Sequence, residues 1–241
     1  MGSTWACSAS NDEEVCMKKI RIKKNWSCAP VWALVFGAVM LLWNTAYTLD
    51  NFPDPPAETP GAPGSIQTAV LAGGCFWGME GVFERLEGVV DVISGYSGGK
   101  ALTARYNIVS TGTTNHAESI RVTYDPSRIS YGELLKVFFS VAHDPTQLNY
   151  QGPDRGKQYR STIFYTGELQ KRIAEEYIRT LERAGVFRKP IVTQVVPLKA
   201  FYPAEDYHQD FMDRNPNYPY IVYWDKPKVE HLKKEFPELV R

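Results

Sequence analysis

Apolar positions along the chain fall into two regimes. From residue 29 to 43 they run almost unbroken, "APVWALVFGAVMLLW", with no polar face. From residue 65 onward they come in short runs whose spacing switches between two and three-to-four. Residues 66–72 read as a β-prone run closed by Gly73-Gly74. Met79, Val82, Phe83 and Leu86 recur at helical spacing and predict an amphipathic helix over 80–86. Residues 89–93 read as a strand ended by the turn-rich "SGYSGGK", and 119–124, "SIRVTY", alternate until Asp125-Pro126 stops them. Ser130 with Glu133 writes a capping box ahead of a helix carrying Leu134, Leu135, Val137, Phe138 and Val141. Strands are predicted at 161–165 and 191–196, a helix at 168–184 and a short helix at 207–213. Strands and helices mix without regular alternation, and no internal repeat is present. The pattern predicts an α+β two-layer sandwich on a mixed or antiparallel sheet, with a ferredoxin-like core.

The unbroken run belongs to a different kind of segment. Lys18, Lys19, Arg21, Lys23 and Lys24 precede it, and a basic flank before a short apolar stretch is the pattern of an export signal. The run is short for a membrane-spanning helix, which needs roughly 20 apolar residues, but reaches that length if extended through Tyr47. Ala46 is a usable cleavage position and Asn44 an indifferent residue before it, so a cleaved signal and an uncleaved anchor both stand. Residues 17–48 are therefore expected to be signal peptide or membrane anchor, and 1–16 an extension ahead of a second candidate start at Met17. Residues 49–64, rich in Pro and Gly, read as a semi-rigid spacer. The domain is expected over 65–227, with 228–241 as a Pro- and Lys-rich tail. An exported protein follows: cell envelope or periplasm, secreted or tethered by its N-terminal segment.

Charge removes one class of partner. Lys and Arg number 27, as do Asp and Glu, so no field recruits nucleic acid. The four cysteines make neither a disulfide framework nor a zinc site: Cys7, Cys16 and Cys28 are N-terminal, and Cys75 is alone in the body of the chain. Cys75 stands in "LAGGCFWGME", where a strand gives way to a helix. The unpaired N–H groups and partial positive charge of a helix start favour thiolate, the reactive form. Gly73 and Gly74 permit a tight turn, while Phe76 and Trp77 can wall an apolar pocket beside the sulfur. A catalytic thiol is the better reading than an inert buried cysteine.

Five blocks then occur in order: "GGCFWGME", "TTNHAESIRVTYDP", "HDPTQ", "QGPDRGKQYRS" and "FYPAEDYHQDF". Together they resemble the methionine sulfoxide reductase A family, over about residues 65–227. The resemblance implies reduction of the S epimer of methionine sulfoxide, free or in a polypeptide. It implies Cys75 as nucleophile and Glu118, in "NHAE", as the acid that protonates the sulfoxide oxygen. Tyr106 and Tyr159 match tyrosines that hydrogen-bond that oxygen, and Asp154 matches an aspartate that organises the site through the thiol or a water. Phe76 and Trp77 would receive the substrate S-methyl group. His116 and His208 are expected to make structural hydrogen bonds, Asp144 to serve a turn, and Asp206 and Tyr207 to stand behind the site. Asn115, Pro153, Arg155 and Lys157 depart from the residues common at those positions.

Attack would leave Cys75 as a sulfenic acid. Many family members resolve it with a C-terminal cysteine, and this sequence has none after Cys75. An external thiol of thioredoxin, glutaredoxin or glutathione type is expected to resolve it, with no bound cofactor or metal and a monomeric chain. Two other classes stay open at this stage. A cysteine hydrolase would pair Cys75 with His116 or His208 and needs an oxyanion hole. A tethered sensor would bind methionine sulfoxide without efficient turnover.

Overall fold

The first strand of the domain, β1 (Gln67–Ala72), alternates its side chains between two environments. Ala69 and Leu71 enter the main core, while Val70 and Ala72 join a smaller cluster with Ala117 and Phe164. The computed structural model describes residues 52–59, 61–62 and 64–241. The expected extension (1–16) and signal or anchor (17–48) lie outside the described residues.

From β1 the chain passes through α1 (Phe76–Phe83), β2 (Val89–Ser97), the one-turn α2 (Tyr106–Val109), β3 (Ala117–Tyr124) and α3 (Tyr131–Val137). A hairpin of β4 (Tyr150–Gln151) and β5 (Asp154–Arg155), then β6 (Thr162–Tyr165), α4 (Glu168–Arg183), β7 (Gln194–Pro197) and β8 (Phe201–Pro203) follow. Last come α5 (Phe211–Arg214) and α6 (Lys226–Glu235). The six-stranded sheet has the order β7-β6-β1-β3-β2-β8, antiparallel except for the β6–β7 pair. Its four central strands stand in the spatial order fourth, first, third, second of the βαββαβ path. That is the predicted ferredoxin-like core on a mixed sheet.

Local chemistry explains the boundaries. Ser130 Oγ accepts the Glu133 N–H at 3.1 Å and the Ser130 N–H donates to Glu133 Oε2 at 2.7 Å, so the capping box forms as written. The stretch "SGYS", expected to be a turn, instead prolongs β2. Gly95 permits this, because a Cβ there would stand 2.4 Å from the Phe201 ring and the Tyr202 carbonyl of β8. The helix expected at 80–86 starts at Phe76, directly after Cys75.

Two expected boundaries are corrected. Residues 52–59 and 61–62 are no free spacer, because their side chains and backbone dock on the domain. The Tyr177 hydroxyl donates to the Pro53 carbonyl at 2.8 Å, Lys136 pairs with Asp54 at 2.7 Å, and the Gly132 N–H at the start of α3 donates to Glu58. Phe52 meets Phe187 edge-on. These side chains dock the segment although its Pro content suggested an exposed linker. Nor are residues 228–241 a tail. Pro227 occupies the first turn of α6, where a missing N–H costs nothing, and Val229, Leu232 and Phe236 are buried in the core. Val240 then bridges to Leu86. Among the described residues no helix is long and apolar enough to cross a membrane.

Candidate active site

Cys75 is the N-cap of α1, 8% exposed and free. The double glycine before it is required by space and backbone. Gly74 has φ +102°, and a Cβ there would meet the Gln151 side chain at 2.6 Å; a Cβ on Gly73 would meet His143 at 2.8 Å. The sharp entry places the sulfur at the helix start, beside the carboxyl group of Glu118. Glu118 comes from β3, is 2% exposed, and its Oε2 accepts the Phe76 N–H at 3.2 Å. Burial pushes Glu118 up to about 8, against the opposing pull of the Phe76 N–H and with help from Asp154. At neutral pH it is therefore mostly a neutral acid able to give up a proton.

The helix start was expected to favour thiolate at Cys75, and other forces outweigh it. Burial pushes the thiol well above its ordinary range. The charges of Glu118, Asp225 and Asp154 push it further, and the opposing Trp77 N–H is outweighed.

The remaining residues close around the sulfur. Tyr106 opens α2, and its N–H donates to Glu205 Oε1 at 2.9 Å, while the Tyr96 hydroxyl donates to Glu205 Oε2 at 3.0 Å. Burial, with Glu118 next, pushes the Tyr106 phenol up to about 12 and raises that of Tyr159 also, so both hydroxyls stay protonated donors. Asp154, from β5, accepts a hydrogen bond from the Tyr220 hydroxyl. Trp77 stacks on Phe211 at 3.8 Å and 9°, and its Nε1–H donates to His208 Nδ1 at 3.1 Å.

One cavity of ≈ 220 Å³ is lined by all seven residues singled out in the sequence: Cys75, Phe76, Trp77, Tyr106, Glu118, Asp154 and Tyr159. Tyr218 and Tyr220 complete it. These two, with Glu205 and Asp225, were not legible as site residues. Glu205 lies inside the quoted block "FYPAEDYHQDF" but was given no role, while the aromatic density of "NPNYPYIVYWD" was the one signal for Tyr218, Tyr220 and Asp225, with no motif attached to it. A larger hollow of ≈ 570 Å³ lies between the 52–62 segment and α4 and holds none of the seven. Polar chemistry, not volume, marks the site.

Neither His116 nor His208 lines the cavity, so no imidazole base faces the sulfur as a hydrolase requires. His116 Nε2 bonds the Lys100 carbonyl at 3.0 Å, and His208 is held by Trp77. Asp144 accepts the Thr146 N–H and hydroxyl at 2.9 and 2.7 Å, closing a turn. Asp206 and Tyr207 are exposed, the Tyr207 ring lying 4.3 Å from that of His208. Among the described residues no group of three or more His, Cys, Asp or Glu is arranged to hold a metal ion.

Known proteins resemble this chain in sequence and fold. The sequence profile of the family described as peptide methionine sulfoxide reductase matches residues 67–239. Peptide methionine sulfoxide reductase MsrA 2 of Mesorhizobium japonicum is 59% identical over 178 residues, covering 74% of this chain and 91% of that protein. The MsrA protein of Sulfolobus acidocaldarius is 52% identical, covering 72% of this chain and 97% of its own length. The solved structure of methionine sulfoxide reductase A from Corynebacterium diphtheriae is similar at TM-score 0.56 and 37% identity, over 68% of this chain and 86% of that one. With a buried thiol, a neutral acid and phenolic donors in one cavity, this chain belongs to the methionine sulfoxide reductase A family, oxidoreductases that use thiols to return methionine sulfoxide to methionine.

Proposed function

We propose that the S epimer of methionine sulfoxide, free or in a polypeptide, enters this cavity with its S-methyl group against Phe76 and Trp77 and its oxygen toward Glu118, Tyr106 and Tyr159. Sulfur–aromatic contact favours that placement of the methyl group. Cys75 sulfur attacks the sulfoxide sulfur, and Glu118 delivers a proton to the oxygen as the S–O bond weakens. The two phenols hydrogen-bond the same oxygen while charge builds on it. The Cys75 thiol proton passes to the Glu118 carboxylate left by that transfer, the S–O bond breaks, and the hydroxide released attacks the Cys75 sulfur. The S–S bond breaks, methionine leaves, reduced by two electrons, and Cys75 is left as a sulfenic acid, oxidised by two. One external thiol attacks that sulfur, releasing water and forming a mixed disulfide. A second thiol displaces Cys75 and leaves as part of an external disulfide.

The observation that carries this reading is the meeting of Cys75 and Glu118 on the first turn of α1, inside one cavity. A reductant of thioredoxin, glutaredoxin or glutathione type fits a chain with no cysteine after Cys75. The basic flank and apolar run of residues 18–43 support action outside the cytoplasm, as a secreted, periplasmic or membrane-tethered protein; repair of oxidised proteins by a monomer is part of the same proposal.

The test is turnover of dabsyl-methionine-S-sulfoxide by the full chain with excess dithiothreitol. Reduction of the S epimer alone is expected, abolished in Cys75→Ser and lowered at least about a hundredfold in Glu118→Gln. Retained activity in Cys75→Ser, or equal turnover of the R epimer, contradicts the reading.

A further inference from the structure

The C-terminal segment supplies a charge that the chemistry above leaves unused. Asp225 has no exposed surface. Its carboxylate lies against the first turn of α1, where a Cβ built on Gly78 would stand 2.1 Å from Oδ1. Oδ1 pairs with Lys228 Nζ at 3.2 Å, and Oδ2 has no hydrogen-bond partner. A buried carboxylate satisfied on one oxygen is a poor stabiliser, because desolvation offsets what a single ion pair contributes. Such a group calls for a role other than stability. Its position supplies one. Gly78 is the third residue of the helix whose N-cap is Cys75, and Glu118 bonds the N–H of the first. Asp225, Glu118 and the Cys75 sulfur thus gather about the first turn of α1, where the helix end carries partial positive charge.

We propose that Asp225 is a positioning residue of this active site: its buried carboxylate, set against the first turn of α1, opposes negative charge on the Cys75 sulfur and holds it as the thiol. The inference rests on Cys75 being the nucleophile, and it concerns how that nucleophile is controlled. Restraint matters in a chain with no later cysteine to trap a wrongly oxidised sulfur. The groups facing Cys75 are Glu118 from β3, Asp154 from β5, the phenols of Tyr106, Tyr159 and Tyr220, and Asp225, itself faced by Lys228. Glu118 and Asp154 line the cavity; Asp225 does not, so it acts on the sulfur without touching substrate.

The experiment measures alkylation of Cys75 by iodoacetamide against pH in the full chain, read by mass spectrometry on the Cys75 peptide. An S–C bond forms as iodide leaves, and the rate follows the thiolate. Asp225→Asn and Asp225→Ser remove the charge in two shapes, so that one remains if the other fails to fold. Val229→Ala opens a cavity in α6 with no change of charge. Both Asp225 variants are expected to move the midpoint down by about one pH unit, with about tenfold faster alkylation at pH 7, while Val229→Ala leaves it in place. Unmoved midpoints in the Asp225 variants, or an equal shift in Val229→Ala, overturn the proposal. Alkylation needs no turnover, so a Cys75→Ser variant that still reduces sulfoxide overturns the nucleophile assignment separately.

Discussion

Replacing Glu118 by glutamine should weaken catalysis and strengthen the fold, and the two effects have one cause. The carboxyl is 2% exposed and burial holds it up at about 8, against an ordinary value of 4.5. Between those values the folded chain keeps a proton that the unfolded chain has released. Stability contributed by this group is therefore full below about pH 4.5 and falls as pH rises through about 8. At about 1.4 kcal/mol per pH unit, ionising the carboxyl in place costs about 5 kcal/mol by pH 9. Glutamine keeps the shape and an acceptor for the Phe76 N–H but has nothing to ionise. Urea unfolding of both proteins from pH 5 to pH 9 reads the effect, since titrating groups that do not face Glu118 cancel in the difference and Glu118 itself is the largest change in this range. The glutamine variant should gain relative to the parent as pH rises, by about 3–5 kcal/mol across the range, with the gain levelling off above pH 8. Its turnover should fall by about 10²–10⁴, the usual worth of a positioned general acid. A stability difference that stays constant from pH 5 to pH 9 would refute the claim that Glu118 is held as a neutral acid.

The same carboxyl sets the pH dependence of the reaction: turnover of saturating substrate should decline above about pH 8, as the acid form is lost, in initial-rate measurements with excess thiol. Gly78→Ala should lower the free energy of unfolding by about 1–3 kcal/mol in urea titrations, because the new methyl group strikes the Asp225 carboxylate. Ser130→Ala removes the cap of α3 and should cost about 1 kcal/mol in the same assay. Glu58→Ala should release residues 52–62 from α3, read as faster amide exchange there with little change in β1 or β3.

How much of this was legible depended on whether the signal was local. The capping box at Ser130 and Glu133 needs only four consecutive residues, and it formed as read. The central strands were found from their alternation, though β2 ran past its expected end because Gly95 answers a contact with β8, more than a hundred residues on. Cys75, Phe76 and Trp77 were marked by the strand-to-helix turn itself, Tyr106, Glu118, Asp154 and Tyr159 came from a resemblance to known motifs, and the fold brings all seven to one cavity. What the motifs did not carry was the partner side of the site. Tyr220 matters because its hydroxyl reaches Asp154, and Asp225 because Gly78 leaves room for it; neither relation leaves a trace in spacing. The thiol's protonation state was misjudged for the same reason. A helix start is visible in sequence, whereas three carboxylates gathered from β3, β5 and the C-terminal segment are not. Pro-rich composition also misled twice, since Pro53 and Pro227 sit in docked and helical segments respectively.

The central claim is that Cys75 alone takes the oxygen equivalent and waits for an external thiol. The most direct test is a single turnover of the reduced full chain with methionine-S-sulfoxide and no reductant, followed by dimedone trapping and mass spectrometry. The account predicts one methionine released per chain and a dimedone adduct on the Cys75 peptide. A disulfide joining Cys75 to Cys7, Cys16 or Cys28, or release of no methionine, would contradict it.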